Sequence, residues 1–206
     1  AETKTFIKEY TYQASDEDSK NSCQVISLRE VKKLLLEDLA RYLKSETEVK
    51  DFKLTEDQIT MLTAGILQTE LVEEKWDGRT YWIKARIKAD PDGVINAIVS
   101  LYNNREVLKE LEEIRKKSDD LLKENERLRR ELAAAQGEEK KKKAVAYDKT
   151  IQDLDAAEWF EKGYAAGIAG NLADAITAFS QTIDLNPQHA TAYNNRGVAY
   201  AGLNNK

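Results

Sequence analysis

The sequence predicts an α+β domain, then a long coiled-coil-like helix, then an array of α-helical hairpins. Alternating apolar residues flank a turn signal at Asp77-Gly78, a seven-residue apolar period runs through residues 94–136, and a 34-residue period links Trp159 with Tyr193. The predicted segments are an α+β domain with an antiparallel sheet and a covering helix at 1–93, the long helix at 94–136, a charged linker and helix at 137–155, and the repeats at 156–206.

The composition argues against several classes of function. The net charge of −5 gives no reason to expect nucleic acid as a partner. The single Cys and single His of the chain cannot form a Cys/His metal cluster, and no catalytic or cofactor motif is present. Cys23 is expected as a small, partly buried helix residue and His189 as an exposed loop residue. No apolar stretch approaches the roughly 18 residues of a transmembrane segment.

The first residues of the chain favour export. The sequence begins Ala1-Glu2-Thr3, and its single Met is Met61. This suits the end that remains after a signal peptide is removed, so we expect a periplasmic or cell-envelope protein. An artificially shortened chain is the alternative.

The first domain is predicted to contain a strand, a long helix, a short helix and two further strands. Residues 4–12 are rich in β-branched and aromatic residues, as in a strand. Ser15 is expected to cap the long helix, Thr55 to cap the short one and Gly65 to end it. One helical face of the long helix is apolar, formed by Val25, Leu28, Val31, Leu35, Leu39 and Leu43.

The last two strands are predicted to form a hairpin around Asp77-Gly78. A three-residue loop, residues 76–78, pairs Leu71 with Ile83 and keeps both apolar rows on one face of the sheet. A two-residue loop would turn one row to the other face. We therefore predict the three-residue loop, with Gly78 at positive φ.

Residues 27–90 resemble the N-terminal domain of the flagellar assembly protein FlgT and related outer-membrane lipoproteins. The resemblance implies an exported, non-enzymatic protein that assembles in rings or sheaths. It rests on the strip Ser45, Thr47 and Val49 after the helix, on Gly65 before a strand, and on Asp77, Gly78, Thr80, Tyr81 and Ile83 in the hairpin.

Residues 94–136 contain no Pro or Gly and are predicted to form one uninterrupted helix with a coiled-coil seam that makes a homo-oligomer. Glu124 and Arg129 are placed to pair between parallel chains, and Asn125 to fix the register. The alternatives are a single solvated helix, held by pairs such as Glu126–Arg130, or a helix that packs on a neighbouring protein. The register begins at Asn104, and the seam consists of Val107, Leu111, Ile114, Leu121, Asn125, Leu128 and Leu132.

The charged run at Lys140–Lys143 is expected to be a solvated linker rather than a nucleic-acid or lipid site, because glutamates lie beside it in an acidic chain.

The strongest signal begins at residue 156, where the sequence resembles the tetratricopeptide repeat (TPR). Gly163 and Ala175 are expected where two antiparallel helices approach closely, and Pro187 is expected to end the second helix. The matching positions are Trp159, Gly163, Ala175, Phe179 and Pro187, followed in the next unit by Tyr193, Gly197 and Tyr200.

The TPR resemblance implies a partner groove along the first helix of each unit. A clamp for a C-terminal carboxylate is not expected, because Val198 stands where a second Asn would be needed. The alternative is that these side chains pack on the preceding helix, residues 144–154. The expected groove residues are Phe160, Tyr164, Ile168, Asn194 and Val198, with Gly167 and Ala201 beside them.

Together these features predict a non-enzymatic, exported scaffolding protein without cofactors. It would self-associate through its first domain and long helix, and recruit protein partners through the repeats. The alternative is a soluble adaptor that binds a peptide and has no structural role. One and a half repeats leave the last helix uncovered, so the native chain is expected to continue with further repeats, unless a neighbouring molecule covers that face.

Overall fold

The computed structural model describes residues 2–45 and 54–204 and divides into two compact units. Unit 1 comprises Ala1–Tyr12 and Ile26–Glu113, and unit 2 comprises Gln13–Val25 and Ile114–Lys206. The boundaries of these units differ from those of the four predicted segments, which follow changes in the period of the sequence. The strands are β1 (Lys4–Gln13), β2 (Glu70–Trp76) and β3 (Thr80–Ala89), and the helices are α1 (Lys20–Ser45), α2 (Glu56–Ala64), α3 (Pro91–Asn103), α4 (Arg105–Ala134), α5 (Gly137–Ile168), α6 (Leu172–Leu185) and α7 (Ala190–Asn204).

Unit 1 contains the predicted antiparallel sheet with a covering helix. The strand order is β1-β3-β2, and the inner row of β3 is fully buried. Helix α1 covers the sheet: the ring centroids of Phe6 and Tyr42 lie 5.8 Å apart, and Lys8 pairs with Asp38 at 2.6 Å. The apolar face of α1 is buried from Val31 to Leu43, which confirms the α+β expectation. The buried row of β3 is Tyr81, Ile83, Ala85 and Ile87.

Helix α1 begins later than predicted. Ser19, not Ser15, precedes its first turn and forms a reciprocal cap with Ser22, with hydrogen bonds of 2.9 and 3.1 Å. Ser15 instead donates its backbone N–H to Asp18 at 2.8 Å, which closes a separate turn. The prediction for Ser15 was wrong. Ser15 and Ser19 are both residue types that can cap the helix, but Ser15 is hydrogen-bonded to Asp18, and Ser19 is the cap.

Helix α2 follows the sequence prediction. Thr55 and Gln58 form a capping box at its first turn, and Gly65 follows its last residue. Thr47 and Val49 of the strip preceding this helix lie outside the described residues.

The β2–β3 hairpin has a different register from the predicted one. Ile83 pairs with Glu74, and Leu71 pairs with Ala85. Asp77 Oδ1 accepts the backbone N–H groups of Arg79 and Thr80 at 2.9 and 2.7 Å, which moves the turn toward β3. A bulge between Leu71 and Glu73 then changes the register by one residue, back toward the predicted pairing. Gly78 does adopt the predicted positive φ, at 97°.

The predicted uninterrupted helix is divided into α3 and α4. Asn104 has the extended backbone angles φ −94° and ψ 95°. Its side-chain oxygen accepts the N–H of Val107 at 3.3 Å, and its carbonyl accepts the N–H of Leu108 at 2.9 Å. Asn104 therefore ends α3 and caps α4, because its short polar side chain competes for backbone groups. It does not occupy a seam position.

Helices α4 and α5 run antiparallel in unit 2. Glu131 pairs with Lys143 at 2.6 Å near the connection, and Ser118 donates to Glu161 at 2.5 Å farther away. Residues 137–168 form one helix, so the predicted linker has no break before the repeat. Three lysines of the run pair with carboxylates: Lys140 with Glu17 at 2.6 Å, Lys141 with Glu138 at 2.8 Å and Lys143 with Glu131 at 2.6 Å.

The buried carboxylate of Asp18 connects residues Gln13–Val25 of unit 2 to α4 and α5. The side chain of Asp18 is fully buried, lies 3.0 Å from Arg129 and accepts a hydrogen bond from the Tyr147 hydroxyl. Arg129, which the sequence places opposite Glu124 of a second chain, thus has a partner in its own chain. Burial acts to raise the pKa of Asp18, but the hydrogen bonds from Tyr147 and Ser15 and the Arg129 charge together lower it below 3.8.

Candidate partner-binding cleft

The repeat hairpin is formed by the end of α5 and by α6. Gly170, at φ 75°, makes the turn between them. A Cβ atom placed on Gly163 would lie 2.8 Å from the Phe179 ring, so a glycine is required for this approach. Ala175 is fully buried, and α6 ends two residues before Pro187. These contacts confirm the predicted roles of Gly163, Ala175 and Pro187.

Phe160 lies at the centre of the repeat core. Its ring centroid lies 5.5 Å from that of Phe179 and 4.7 Å from that of His189. Only 6% of Phe160 is exposed. The structure therefore places this predicted groove residue in the core of the repeat, where it packs against Phe179 and His189.

His189 is half-buried, so its expected exposure in a loop was wrong. Besides stacking on Phe160, its Nδ1 accepts the backbone N–H of Ala192 at 3.2 Å and caps the first turn of α7. Burial is the main reason why the pKa of His189 lies below its usual 6.5, and the nearby charge of Lys117 lowers it further. The neutral imidazole that caps α7 is thereby favoured.

Helix α7 is held against α6 by a polar contact and a close approach. Arg196 donates to the Ser180 hydroxyl at 3.1 Å. A Cβ atom on Gly202 would lie 3.0 Å from Leu172 Cδ1. Ala192 and Ala199 are buried in this interface, so one face of α7 is committed to the chain itself.

The C-terminal end of α5, the first half of α6 and the middle of α7 line an open cleft of about 240 Å³. No charged residue lines it, and the exposed aliphatic side chains in it are Ile168, at 37% exposed, and Val198, at 65%. The amide of Asn195 offers a polar group at the same wall. The lining residues are Tyr164, Gly167, Ile168, Leu172, Phe179, Asn195, Val198 and Ala199.

Three of the five predicted groove residues, Tyr164, Ile168 and Val198, line this cleft. Asn194 is exposed outside it, and the neighbouring Asn195 takes its place. The sequence also missed Leu172, because the pattern assigns the groove to first helices and gives no signal for a wall from α6. Tyr164 and Ile168 belong to the same helix as residues 144–154, so they do not pack on that segment.

The predicted seam residues lie mostly inside the chain. Leu111 contacts Gly65 in unit 1, since a Cβ atom on Gly65 would lie 2.8 Å from Leu111 Cδ2. Ile114 packs against the repeat core. Leu128 is 7% exposed and Leu132 is 1% exposed, while Val107 and Leu121 are half-buried. The apolar row that the sequence assigns to a second chain is therefore largely occupied by intrachain packing.

Asn125 is the polar residue of this row. It is 3% exposed, and its Nδ2 is buried without a hydrogen-bond partner. We expect Asn125→Leu to raise the free energy of unfolding by about 1–2 kcal/mol, since a buried NH₂ group without a hydrogen-bond partner is removed. Urea denaturation monitored by circular dichroism measures this change. Asn194→Leu, at an exposed helical site, is the control and should gain less than about 0.5 kcal/mol. A lower free energy of unfolding in Asn125→Leu would contradict the conclusion that the Asn125 Nδ2 has no hydrogen-bond partner.

Comparison with known proteins identifies the repeat segment. The family described as TPR repeat matches residues 167–204, which contain α6 and α7. No curated protein and no solved structure matches the chain. The resemblance of residues 27–90 to the FlgT domain therefore stays a prediction. Within residues 2–45 and 54–204, no helix combines the length and apolar character that a membrane crossing requires. The chain thus carries a TPR repeat over residues 167–204, a type of segment that points to protein–protein interaction.

Proposed function

We propose that the chain is a protein-binding module whose repeat cleft takes an apolar side chain of a partner polypeptide. The observation that carries this proposal is Val198, an aliphatic residue that is 65% exposed at the wall of an uncharged cleft. The exposed apolar surface of Ile168 and Val198 is removed from water only when a partner covers it, and this removal favours binding.

The size of the cleft favours an anchor residue over a metabolite. Its volume of about 240 Å³ lies below the range of roughly 300–1,000 Å³ that is typical of small-molecule pockets. One large aliphatic or aromatic side chain suits this space, and the Asn195 amide is placed to hydrogen-bond the partner's backbone. Without a charged lining residue, specificity rests on shape and on that amide.

The test uses a displayed library of random peptides that is panned against the whole chain. Peptides with an apolar anchor are expected, and their affinity for Val198→Asp should fall by at least about tenfold, because a buried charge in the cleft would be unpaired. Fluorescence anisotropy of a labelled peptide measures the affinity.

The matched control for this test is Val145→Asp. Val145 is 71% exposed on α5 and does not line the cleft, so the same substitution there should leave binding unchanged. Equal loss in both variants, or full binding by Val198→Asp, would contradict the proposal.

The structural role in a cell envelope, the export and the lack of enzymatic activity remain predictions from the sequence. Self-association through α4 would require Leu128 and Leu132 to leave their buried positions in unit 2. A binding module of this build is expected to be a monomer in light scattering at micromolar concentration. An oligomer that Leu121→Asp together with Leu128→Asp abolishes would favour the scaffold instead.

A further inference from the structure

His189 links the first turn of α7 to the aromatic residues beside the cleft. Its Nδ1 accepts the N–H of Ala192 at 3.2 Å, and its ring stacks on Phe160 at a centroid distance of 4.7 Å and an interplanar angle of 28°. Phe160 in turn stacks on Tyr164 at 6.4 Å and packs against Phe179 at 5.5 Å. Tyr164 and Phe179 both line the cleft, so one imidazole contacts the helix that forms a cleft wall and, through Phe160, the cleft lining.

The cap on α7 requires a neutral imidazole. The N–H of Ala192 is shared between Nδ1 and the carbonyl oxygen of His189, which lies at 3.0 Å. A protonated Nδ1 is a donor, so its hydrogen would face the N–H of Ala192. The charge would also stand at the N-terminus of α7, where the helix dipole disfavours a cation. The protonated ring therefore has to turn away from Ala192, and it loses its stacking contact with Phe160.

Two charged side chains act on His189 in opposite directions. Lys117 of α4 disfavours a proton on the imidazole, and Asp153 of α5 favours one. Asp153 is already paired with Lys149 of its own helix, which weakens its effect on the ring. The stacking partner of the ring on α5 and its hydrogen-bond partner on α7 are uncharged. The surroundings of His189 therefore favour the neutral ring.

The direction of the pH effect follows from these contacts. While α7 is docked, burial and the charge of Lys117 hold the pKa of His189 below 6.5. When α7 is released, the imidazole enters water and its pKa returns to the ordinary value. The released state therefore takes up the proton first as the pH falls below about 6.5, so the docked state is fully favoured only above that pH. His189 is the single His of the sequence, and His is the side chain that ordinarily titrates between about pH 5 and 8.

We infer that the cleft is a proton-sensitive binding site, in which protonation of His189 releases α7 and with it the wall that carries Asn195 and Val198. The inference rests on the proposed function, because it describes the regulation of the same cleft. A partner that binds through an apolar anchor at neutral pH would dissociate on mild acidification. Since no charged residue lines the cleft, a partner without titratable groups would show the same dependence.

Amide hydrogen exchange of the whole chain measures the release of α7 without a ligand. Protection factors, which are corrected for the intrinsic effect of pH on exchange, are compared at about pH 7.5 and about pH 5.5. Those of α7 should fall by at least about threefold at the lower pH relative to those of β3, because the population of released α7 rises.

His189→Asn is the decisive variant. Its side-chain oxygen can accept the N–H of Ala192, since Asn is among the best capping residues, but it does not titrate. The protection of α7 in His189→Asn should therefore stay constant between the two pH values. Asp155→Asn is the control for carboxylates, because burial and the charge of Glu158 raise the pKa of Asp155. This variant should behave as the unmodified chain does.

The affinity of the cleft is the second readout. Anisotropy is recorded with a labelled library peptide that contains no His, Asp or Glu. The unmodified chain should bind it at least about threefold more weakly at the lower pH, and His189→Asn should bind it equally at both. A chain that binds no peptide at the higher pH contradicts the proposed function and, with it, the regulation. Equal binding at both pH values by the unmodified chain contradicts the regulation alone.

Three results of the exchange experiment would also overturn the inference. The first is constant protection of α7 in the unmodified chain, and the second is an equal decrease in His189→Asn. The third is a decrease that Asp155→Asn abolishes, since the titrating group would then be a carboxylate.

Discussion

Phe179→Ala is expected to lower the free energy of unfolding of the repeat by about 3–5 kcal/mol. Only 3% of Phe179 is exposed, and its ring fills the space between Gly163 and Phe160. Gly163 cannot close the resulting cavity because it has no side chain. The substitution therefore loses both the transfer free energy of the ring and its contacts.

Amide hydrogen exchange of α6 and α7 measures this effect, because it reports on the repeat even if the two units unfold separately. Tyr200→Ala is the matched control: it removes an aromatic ring from the same repeat at a site that is 49% exposed, and should cost less than about 1 kcal/mol. If both variants lose the same protection, the Phe179 contact does not organise the repeat.

Asp18→Ala is expected to lower the free energy of unfolding by about 2–3 kcal/mol at neutral pH. The substitution removes a fully buried carboxylate that pairs with Arg129 and accepts the Tyr147 hydroxyl. The loss is smaller than for a fully buried ion pair, because the Arg129 side chain is 33% exposed and is partly solvated. Urea denaturation monitored by circular dichroism measures the difference.

The pH dependence of stability gives an independent test of Asp18. Its pKa in the folded chain is lowered from 3.8, so the unfolded chain takes up the proton first as the pH falls. The stabilisation is therefore fully present above about pH 4 and is lost as the pH falls through the lowered pKa of the folded state.

Asp18→Asn should flatten this part of the pH profile. Asp16→Asn, at an exposed position of the same turn, should leave it as in the unmodified chain. A profile that Asp18→Asn does not change would show that the carboxylate contributes nothing through its charge.

Periodicity in the sequence was enough to predict the local elements. The helical face of α1, the inner row of β3, the cap at Thr55 and the repeat positions Gly163 and Phe179 all follow from spacing and residue type. Each depends on neighbours a few residues away or on one fixed period, and such signals are independent of distant contacts.

Turns and caps were predicted less well, because several neighbouring polar residues compete for the same backbone groups. Asn104 interrupts a run without Pro or Gly, and Asp77 moves the hairpin turn by binding two N–H groups. The residue types allow either outcome, and the difference in free energy between them is small.

Residue spacing alone establishes an apolar row at residues 107–132 and a 34-residue repeat at residues 159–200. It does not show which surfaces cover them, because that depends on tertiary packing. The row packs within its own chain, while Tyr193, Tyr200 and Val198 remain exposed in the described residues. The physical reason is that apolar burial is not directional: a hydrophobic face specifies that it must be covered, but not by which surface.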